Sequence, residues 1–422
     1  MSRCTSSPFA PLQLSSDDSD RLHDVAQLFV DNAVAEYEAF LAQDRYVEAW
    51  RWKLVRRKDS VRVYRERAMA SAPSAHGRTR VSARRFEASS APPISVVESG
   101  KLPRFQTVGT LAGTLHDCMY GAMNPTVDAT GSLNPNDRVT TGAVLATVIE
   151  PSLADPFHSL VVKWVVHRRA LPVRVIAKNQ DLVYVEYTGL THLPTTGDVV
   201  GFHLVHSVSF PQTHQLDALQ RGTLSMCTLF RQHTDDTVEL FAQGFTDPVG
   251  SLFKAVALRS AANIMTQPSY VTSCAQRKKL DFAWRHRREK VSVLHELNDR
   301  RRQHELLEAA SSPSYLASRS CAVCDAVLMR GAGSLLPFHR KHSAVQCYLC
   351  LHETCVSCQI THATRGVTCC VLCVSVVSKL DAAEVAAAEL VSACAGSAYS
   401  VSSDSSDCRT NVSSYRSNLV VV

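Results

Sequence analysis

Between residues 104 and 245 the apolar positions come in short runs of β-branched and aromatic residues, each bounded by Gly, Pro, Asn or Asp. Runs of this kind read as strands. The candidates are 105–111, 144–149, 159–166, 182–188, 201–210, 224–233 and 237–244. Little helical pattern separates them, so they predict an antiparallel meander. The period changes on either side. Leu22, Val25, Leu28, Phe29, Tyr37, Phe40 and Leu41 recur at helical spacing, behind Ser16-Asp17-Asp18 as an N-cap with an acidic first turn. Trp50 to Tyr64 turns to alternation, with Val61, Val63 and Tyr64 in a strand. After Asp247-Pro248 a long helix is expected, with Leu252, Phe253, Val256, Ala257 and Ile264 on one face. The expected fold class is α+β.

A length of 422 residues with 45% hydrophobic content suggests two or three globular domains. No apolar run approaches the ~18 residues that span a bilayer, so any membrane contact is expected to be peripheral. With no signal peptide at its start, the chain is expected to be cytoplasmic. The net charge of +6 does not by itself argue for nucleic acid. No nucleophile elbow, P-loop, post-strand G-x-G-x-x-G or H-E-x-x-H is present, which speaks against an enzyme. His203 and His206 lie three apart on a strand and point to opposite faces, a poor metal pair. Cys118, Cys227 and Cys274 are isolated and read as buried, inert thiols, and His158, His167 and His192 as ordinary residues. Residues 277–302 hold ten Lys or Arg against four acids. A solvated helix with ion pairs, an attraction to anionic lipid, a nuclear localisation signal and an RNA-binding patch are all readings of that run.

The chemistry concentrates near the end. Nine of fifteen cysteines lie between Cys321 and Cys373, and eight form four C-x2-C pairs: Cys321/Cys324, Cys347/Cys350, Cys355/Cys358 and Cys370/Cys373. Eight thiolates suffice for two closed tetrahedral zinc sites, saturated and therefore structural. The competing reading is a disulfide framework, which a cytosolic chain disfavours. A segment this short draws its folding free energy from the metal. Its longest loop carries Leu335, Leu336 and Phe338 followed by His339, Arg340, Lys341 and His342. An apolar tip beside a basic cluster suits an anionic membrane surface. Leu336 and Phe338 could instead be the mini-core of a small zinc fold.

The order of knuckles, with a basic patch in the first long loop and C-x2-C-x4-C-x2-C behind it, resembles a FYVE-type zinc finger. The resemblance implies interleaved ligands. Cys321, Cys324, Cys355 and Cys358 would share one ion; Cys347, Cys350, Cys370 and Cys373 would share the other, with Cys369 able to substitute for Cys370. The family's RKHHCRxCG motif is altered here. The basic cluster stands upstream of Cys347, Tyr348 and Leu351 replace the arginine and the glycine, and no tryptophan-x-x-aspartate occurs in Ser314–Ser318. Recognition of a specific phosphoinositide does not carry over with the zinc fold.

Trp50 to Tyr64, Val108–Leu111 through Asp117–Gly121, Asp155-Pro156-Phe157, Val162-Lys163-Trp164, Val183–Gly189 and His206-Ser207-Val208 resemble a START-like lipid-binding domain of the kind fused to FYVE-type modules. That resemblance implies a helix-grip architecture: a curved antiparallel sheet around a long C-terminal helix, leaving a hollow for a hydrophobic lipid, with Phe253 and Val256 facing it. The domains expected are a disordered 1–15, a START-like 16–276, a basic helical linker 277–311, a finger 312–380, and a short helix with a Ser-rich disordered tail at 381–422. The function implied is non-enzymatic. A zinc finger would direct the chain to anionic, endosomal or other endomembranes, and the cavity would hold one lipid. An interaction adaptor with a filled cavity and a protein partner is the alternative, and nucleic acid is not an expected partner.

Overall fold

The computed structural model describes residues 7–67, 95–96, 102–124, 139–167, 178–247, 254–286, 320–328, 344–362 and 367–397. The chain divides into two compact units, 1–275 and 276–422. Among the described residues no helix is long and apolar enough to cross a membrane.

The first unit is α+β and is built on one large sheet. Its strands are β1 (Trp52–Lys58), β2 (Val61–Glu66), β3 (Ser95–Val96), β4 (Arg104–Ala112), β5 (Val139–Ile149), β6 (Ser159–His167), β7 (Gln180–His192), β8 (Val199–Ser209), β9 (Gln220–Arg221), β10 (Thr223–Thr234) and β11 (Thr237–Asp247). The sheet order is β1-β2-β4-β11-β10-β8-β7-β6-β5, with β3 on β8 and β9 on β7. Every pairing is antiparallel except the short β7–β9 contact. Each strand expected between 104 and 245 is therefore present. Trp50 to Tyr64 supplies not one strand but the hairpin β1–β2, turning at Asp59-Ser60.

Helix α1 (Ser16–Ala42) is closed by a capping box one residue earlier than expected. Ser15 Oγ accepts from Asp18 N at 3.1 Å, and Asp18 Oδ2 accepts from Ser15 N at 3.3 Å. The helix lays Leu22, Ala26, Val30, Tyr37 and Phe40 on Val162, Trp164, Phe202, Leu204, Cys227 and Phe241. Residues 7–15, expected to be disordered, are packed as well. Phe9 stacks edge-on against Trp164 at 5.7 Å, and Leu12 N donates to Leu145 O at 2.8 Å. Two buried apolar side chains outweigh a Ser/Pro-rich composition here.

The opposite face of the sheet is covered by other helices. Met226 and Ala242, one residue along from Cys227 and Phe241, pack with Val63, Phe105, Ala261 and Met265. Ala261 belongs to α3 (Lys254–Ile264). Helix α2 (Leu115–Ala122) sits on the same side, with a Cβ at Gly201 of β8 due to meet Met119 Sδ at 2.3 Å. It begins with a second capping box, Thr114 to Asp117. This helix was not expected; the T-x-x-D pattern at 114–117 was its signal. The expected single long C-terminal helix is broken. A 3-10 turn at Gln267–Tyr270, holding Pro268, separates α3 from helical residues beginning at 271, because proline lacks the N–H that a continuous helix needs. The backbone crowds Gly121, where a Cβ would lie 1.8 Å from Val271 O.

The two histidines of β8 do face opposite sides. His203 Nε2 meets Glu186 Oε1 at 2.9 Å, while His206 lies under α1 with its ring 4.1 Å from that of Phe29. His206 Nδ1 contacts Ser225 Oγ at 2.9 Å, and its buried Nε2 has no hydrogen-bond partner among the described residues. Burial pushes His206 down to about 4. The fold thus holds the neutral ring. Between the ordinary value of about 6.5 and 4, only the unfolded chain takes up this proton. The contribution of His206 is full above pH 6.5 and falls with acid, by up to about 1.4 kcal/mol per pH unit in that window. Urea midpoints measured at pH 7 and pH 5 should fall less in a His206→Gln chain than in the parent. Equal falls would remove His206 as the cause.

Candidate metal centre

The second unit contains the hairpin β12–β13 (Ala344–Gln346, Glu353–Cys355), the hairpin β14–β15 (Gln359–His362, Val367–Cys370), and the helices α4 (Val371–Ser378) and α5 (Ala382–Ser397). The four C-x2-C pairs converge as two groups. The Sγ atoms of Cys321, Cys324, Cys355 and Cys358 all lie within 4.8 Å of one another, and so do those of Cys347, Cys350, Cys370 and Cys373. First and third pairs meet, and second and fourth pairs meet. Cys370, not Cys369, completes the second group; Cys369 is buried beside it.

Each turn is built for its sulfurs. Cys321 N donates to Ala326 O at 2.8 Å and Asp325 N to Cys321 O at 2.9 Å. The second pair repeats this, with Cys347 N to His352 O at 2.9 Å and Leu351 N to Cys347 O at 3.0 Å. The residue after the second cysteine is left-handed in both turns: φ is 55° at Asp325 and 65° at Leu351. Amides then reach across between pairs. Cys355 N donates to Cys321 Sγ at 3.3 Å and Cys370 N to Cys347 Sγ at 3.2 Å. Burial pushes the Cys321 thiol up, but amides of Cys355, Val323 and Cys324 outweigh it and bring it down to about 6. Donation from the neighbouring thiols of Cys350, Cys369 and Cys373 holds Cys347 well below the ordinary thiol range.

These sites fit a metal ion on geometry. Tetrahedral thiolates about 2.3 Å from zinc stand ~3.8 Å from one another. Cys324 and Cys355 sulfurs are 3.7 Å apart, and those of Cys350 and Cys370 are 3.9 Å apart. The first cysteine of each pair is buried, with Cys321 and Cys347 fully so. Two four-sulfur groups able to hold metal ions are therefore present.

The helical residues 276–286 belong to this unit. Lys279 is buried and donates to Ser378 O, at the end of α4, at 3.1 Å. Arg285 pairs with Glu389 of α5, His286 Nε2 meets Ser392 Oγ at 3.2 Å, and the Trp284 and Tyr348 rings are 5.7 Å apart. The described start of the basic run is thus a packed helix that makes an ion pair through Arg285.

The loop residues Leu335, Leu336, Phe338, His339, Arg340, Lys341 and His342 lie outside the described residues, as does Phe253; the side chain of Val256 does too. In the first unit Cys118 and Cys227 are buried, and burial raises both thiols, Cys227 to about 12. One charged group there escaped the sequence reading. Lys163 of β6 is buried against Glu186 of β7 and also donates to Asn124 O, while His203 of β8 takes the other Glu186 oxygen. Burial would raise Glu186, but Lys163 and His203 outweigh it and hold it at about 2. These partners lie 17 to 23 residues apart in the chain, so only the strand register brings them together.

No family model matches the chain, and no curated protein matches it. Among solved structures it is similar to human StAR-related lipid transfer protein 5, with a TM-score of 0.36 and 14% identity over 58% of this chain and 97% of that one. It is likewise similar to human STARD10, with a TM-score of 0.34 and 13% identity over 63% and 81%. A STAR-related lipid transfer protein fragment from Xanthomonas axonopodis gives 0.33 and 13% over 53% and 96%. The architecture above rests on the strand pairing itself.

Leu351 supplies a test of the turn geometry. A left-handed residue with a Cβ costs ~1–2 kcal/mol, and glycine avoids it. Leu351→Gly should stabilise the second unit by about 1 kcal/mol. Amide hydrogen exchange at Cys347 and Leu351 should slow accordingly; faster exchange would show that Leu351 packing outweighs its backbone strain.

Proposed function

We propose that the chain is a non-enzymatic, lipid-binding peripheral membrane protein of the cytoplasm. In this reading a START-like domain holds one hydrophobic lipid, and a FYVE-type finger organised by two zinc ions meets anionic endomembranes. The observation that carries it is the interleaving of the four cysteine pairs into two groups with tetrahedral edge lengths. Cys321, Cys324, Cys355 and Cys358 would hold one zinc, and Cys347, Cys350, Cys370 and Cys373 the other. A saturated four-thiolate site supplies a cross-link and no open position for chemistry. The large antiparallel sheet with helices packed on it is the architecture that the lipid-binding half requires. Leu335, Leu336 and Phe338 would enter the interface, with His339, Arg340, Lys341 and His342 on the headgroups. The Phe253 and Val256 face would line the lipid site. The displaced basic cluster favours general anionic lipid over one headgroup.

Elemental analysis of the purified full chain should give about two zinc ions per molecule. Disulfides on a non-reducing gel, with no metal, would end the finger reading. In vesicle co-sedimentation, binding to anionic lipid should strengthen from about pH 7.5 to 6, the range over which imidazoles gain charge. Changing His339, Arg340, Lys341 and His342 together to alanine should remove that pH dependence. If it persists, the loop is not the contact and a protein-interaction module becomes the better reading. Mass spectrometry of lipid extracted from the natively purified chain tests the other half. A chain that carries none, and takes none from vesicles, has a filled interior.

A further inference from the structure

The hairpin β1–β2 and its flanks carry an unusual charge. Residues 51–67 hold eight Lys or Arg against two acids. Three of the eight are occupied: Arg51 pairs with Glu66, Arg67 bonds Ala49 O, and Lys58 bonds Ser269 and lies over the Tyr270 ring. Lys53, Arg56, Arg57, Arg62 and Arg65 make no ion pair among the described residues. The register sharpens the point. Lys53 stands directly opposite Arg65, and Arg57 directly opposite Arg62. Like charges at directly opposed positions destabilise a strand pair, so the free hairpin carries a repulsion that an anion would relieve.

Beside it lies a cleft of about 410 Å³ between β1 and α3. Val55, Leu258 and Ala262 form an apolar floor, and Lys53, Arg56 and Arg259 a cationic rim. Leu54 at the cleft edge and Trp50 just before β1 are 45% and 58% exposed. Charges on an edge strand commonly serve to block edge-to-edge pairing. That role needs neither like charges facing one another nor an apolar cleft between cations. A peptide strand adding to β1 would meet the irregularity between Leu54 and Arg56, which interrupts the ladder. Duplex nucleic acid would satisfy the charge but gain nothing from Leu54 and the apolar floor. A phospholipid leaflet uses all of them: phosphates on the cations, exposed apolar side chains at the interface.

We propose that the β1–β2 hairpin with the β1–α3 cleft is a docking surface for an anionic phospholipid leaflet. Lys53, Arg56 and Arg259 hold a headgroup phosphate there, and Leu54 and Trp50 enter the interface. The proposal concerns the first unit and does not rest on what the cysteine-rich unit binds.

The test is co-sedimentation of the full chain with phosphatidylcholine vesicles, with and without about 30 mol% phosphatidylserine. It is run in parallel on chains with His339, Arg340, Lys341 and His342 intact or changed to alanine. Each basic residue near such a surface contributes about a fivefold factor in affinity, so Lys53→Glu/Arg57→Glu should weaken binding to anionic vesicles by at least about tenfold in both backgrounds. Arg57→Glu places a carboxylate opposite Arg62. It should therefore leave the melting temperature unchanged or raised while binding falls, which separates lost docking from lost folding. Leu54→Ser should weaken vesicle binding without altering the salt dependence. Inorganic phosphate at about 10 mM should not displace the protein from vesicles, since a lone phosphate engages no interface. Undiminished binding of Lys53→Glu/Arg57→Glu would overturn the proposal. So would loss only when residues 339–342 are changed, displacement by free phosphate, or tighter binding to duplex DNA or an acidic peptide than to the vesicles.

Discussion

A sheet whose central strands are buried on both faces has to be covered twice, and the first unit is arranged around that demand. Nine consecutive residues of β8 are buried, as are the first eight of β6. Helix α1 answers on one side; α2 and α3 answer on the other. The double cover leaves no water for polar side chains caught inside, so they must pair with one another. Glu186 draws Lys163 and His203, and Glu239 draws Tyr37 at 2.8 Å, Arg45 at 2.7 Å and Arg231 at 3.1 Å. The second cluster ties the end of α1 to β10 and β11. Such networks are weak evidence for net stability, because desolvation offsets much of their attraction. They do fix where each helix must sit, since removing one partner strands a buried charge.

The second unit is too small to be held this way. Among its described residues it buries Cys321, Cys347, Cys355 and Cys370 together with a short set of apolar side chains such as Phe282, Val377 and Val385. The two four-sulfur groups sit where its hairpins meet, and the backbone couples them. Strand β12 runs directly into Cys347 of one group, while its partner β13 ends at Cys355 of the other, with Ala344 opposite Cys355. Distorting either group pulls on the same two-stranded ladder. Interleaved pairs therefore tie the two four-sulfur groups together through the backbone, where consecutive pairs would give two separate knuckles.

What could be read from the chain alone follows from the range of each interaction. The strands from β4 to β11 were legible because their apolar runs and their Gly, Pro, Asn and Asp boundaries are local. Cysteine spacing marked the four turns for the same reason. Spacing alone could not say which turns share a metal; that assignment came from family resemblance, and the sulfur positions agree with it. Helix α2 was missed because eight residues offer too little periodicity to stand out, although Thr114 and Asp117 marked its start. The order in residues 7–15 depends on Trp164 and Leu145, more than a hundred positions away, and composition is blind to that. Lys163 and Glu186 are likewise invisible before the β6–β7 register is known.

Charge shows the same limit in its strongest form. The runs 51–67 and 277–302 look alike as sequences, each carrying an excess of six positive charges. Their described parts differ in what those charges do. Lys279 is spent on the carbonyl end of α4, where a cation offsets the helix dipole, and Arg285 is spent on Glu389. In the hairpin, by contrast, the cross-strand register sets cation against cation, and among the described residues Glu66 is its one acidic partner. A basic segment whose charges are already satisfied adds rigidity to a fold. One whose cations face each other at the edge of a sheet holds a repulsion that salt or a bound anion relieves. Counting Lys and Arg along the chain would have pointed to the longer run, whereas the partners of each cation point to the hairpin.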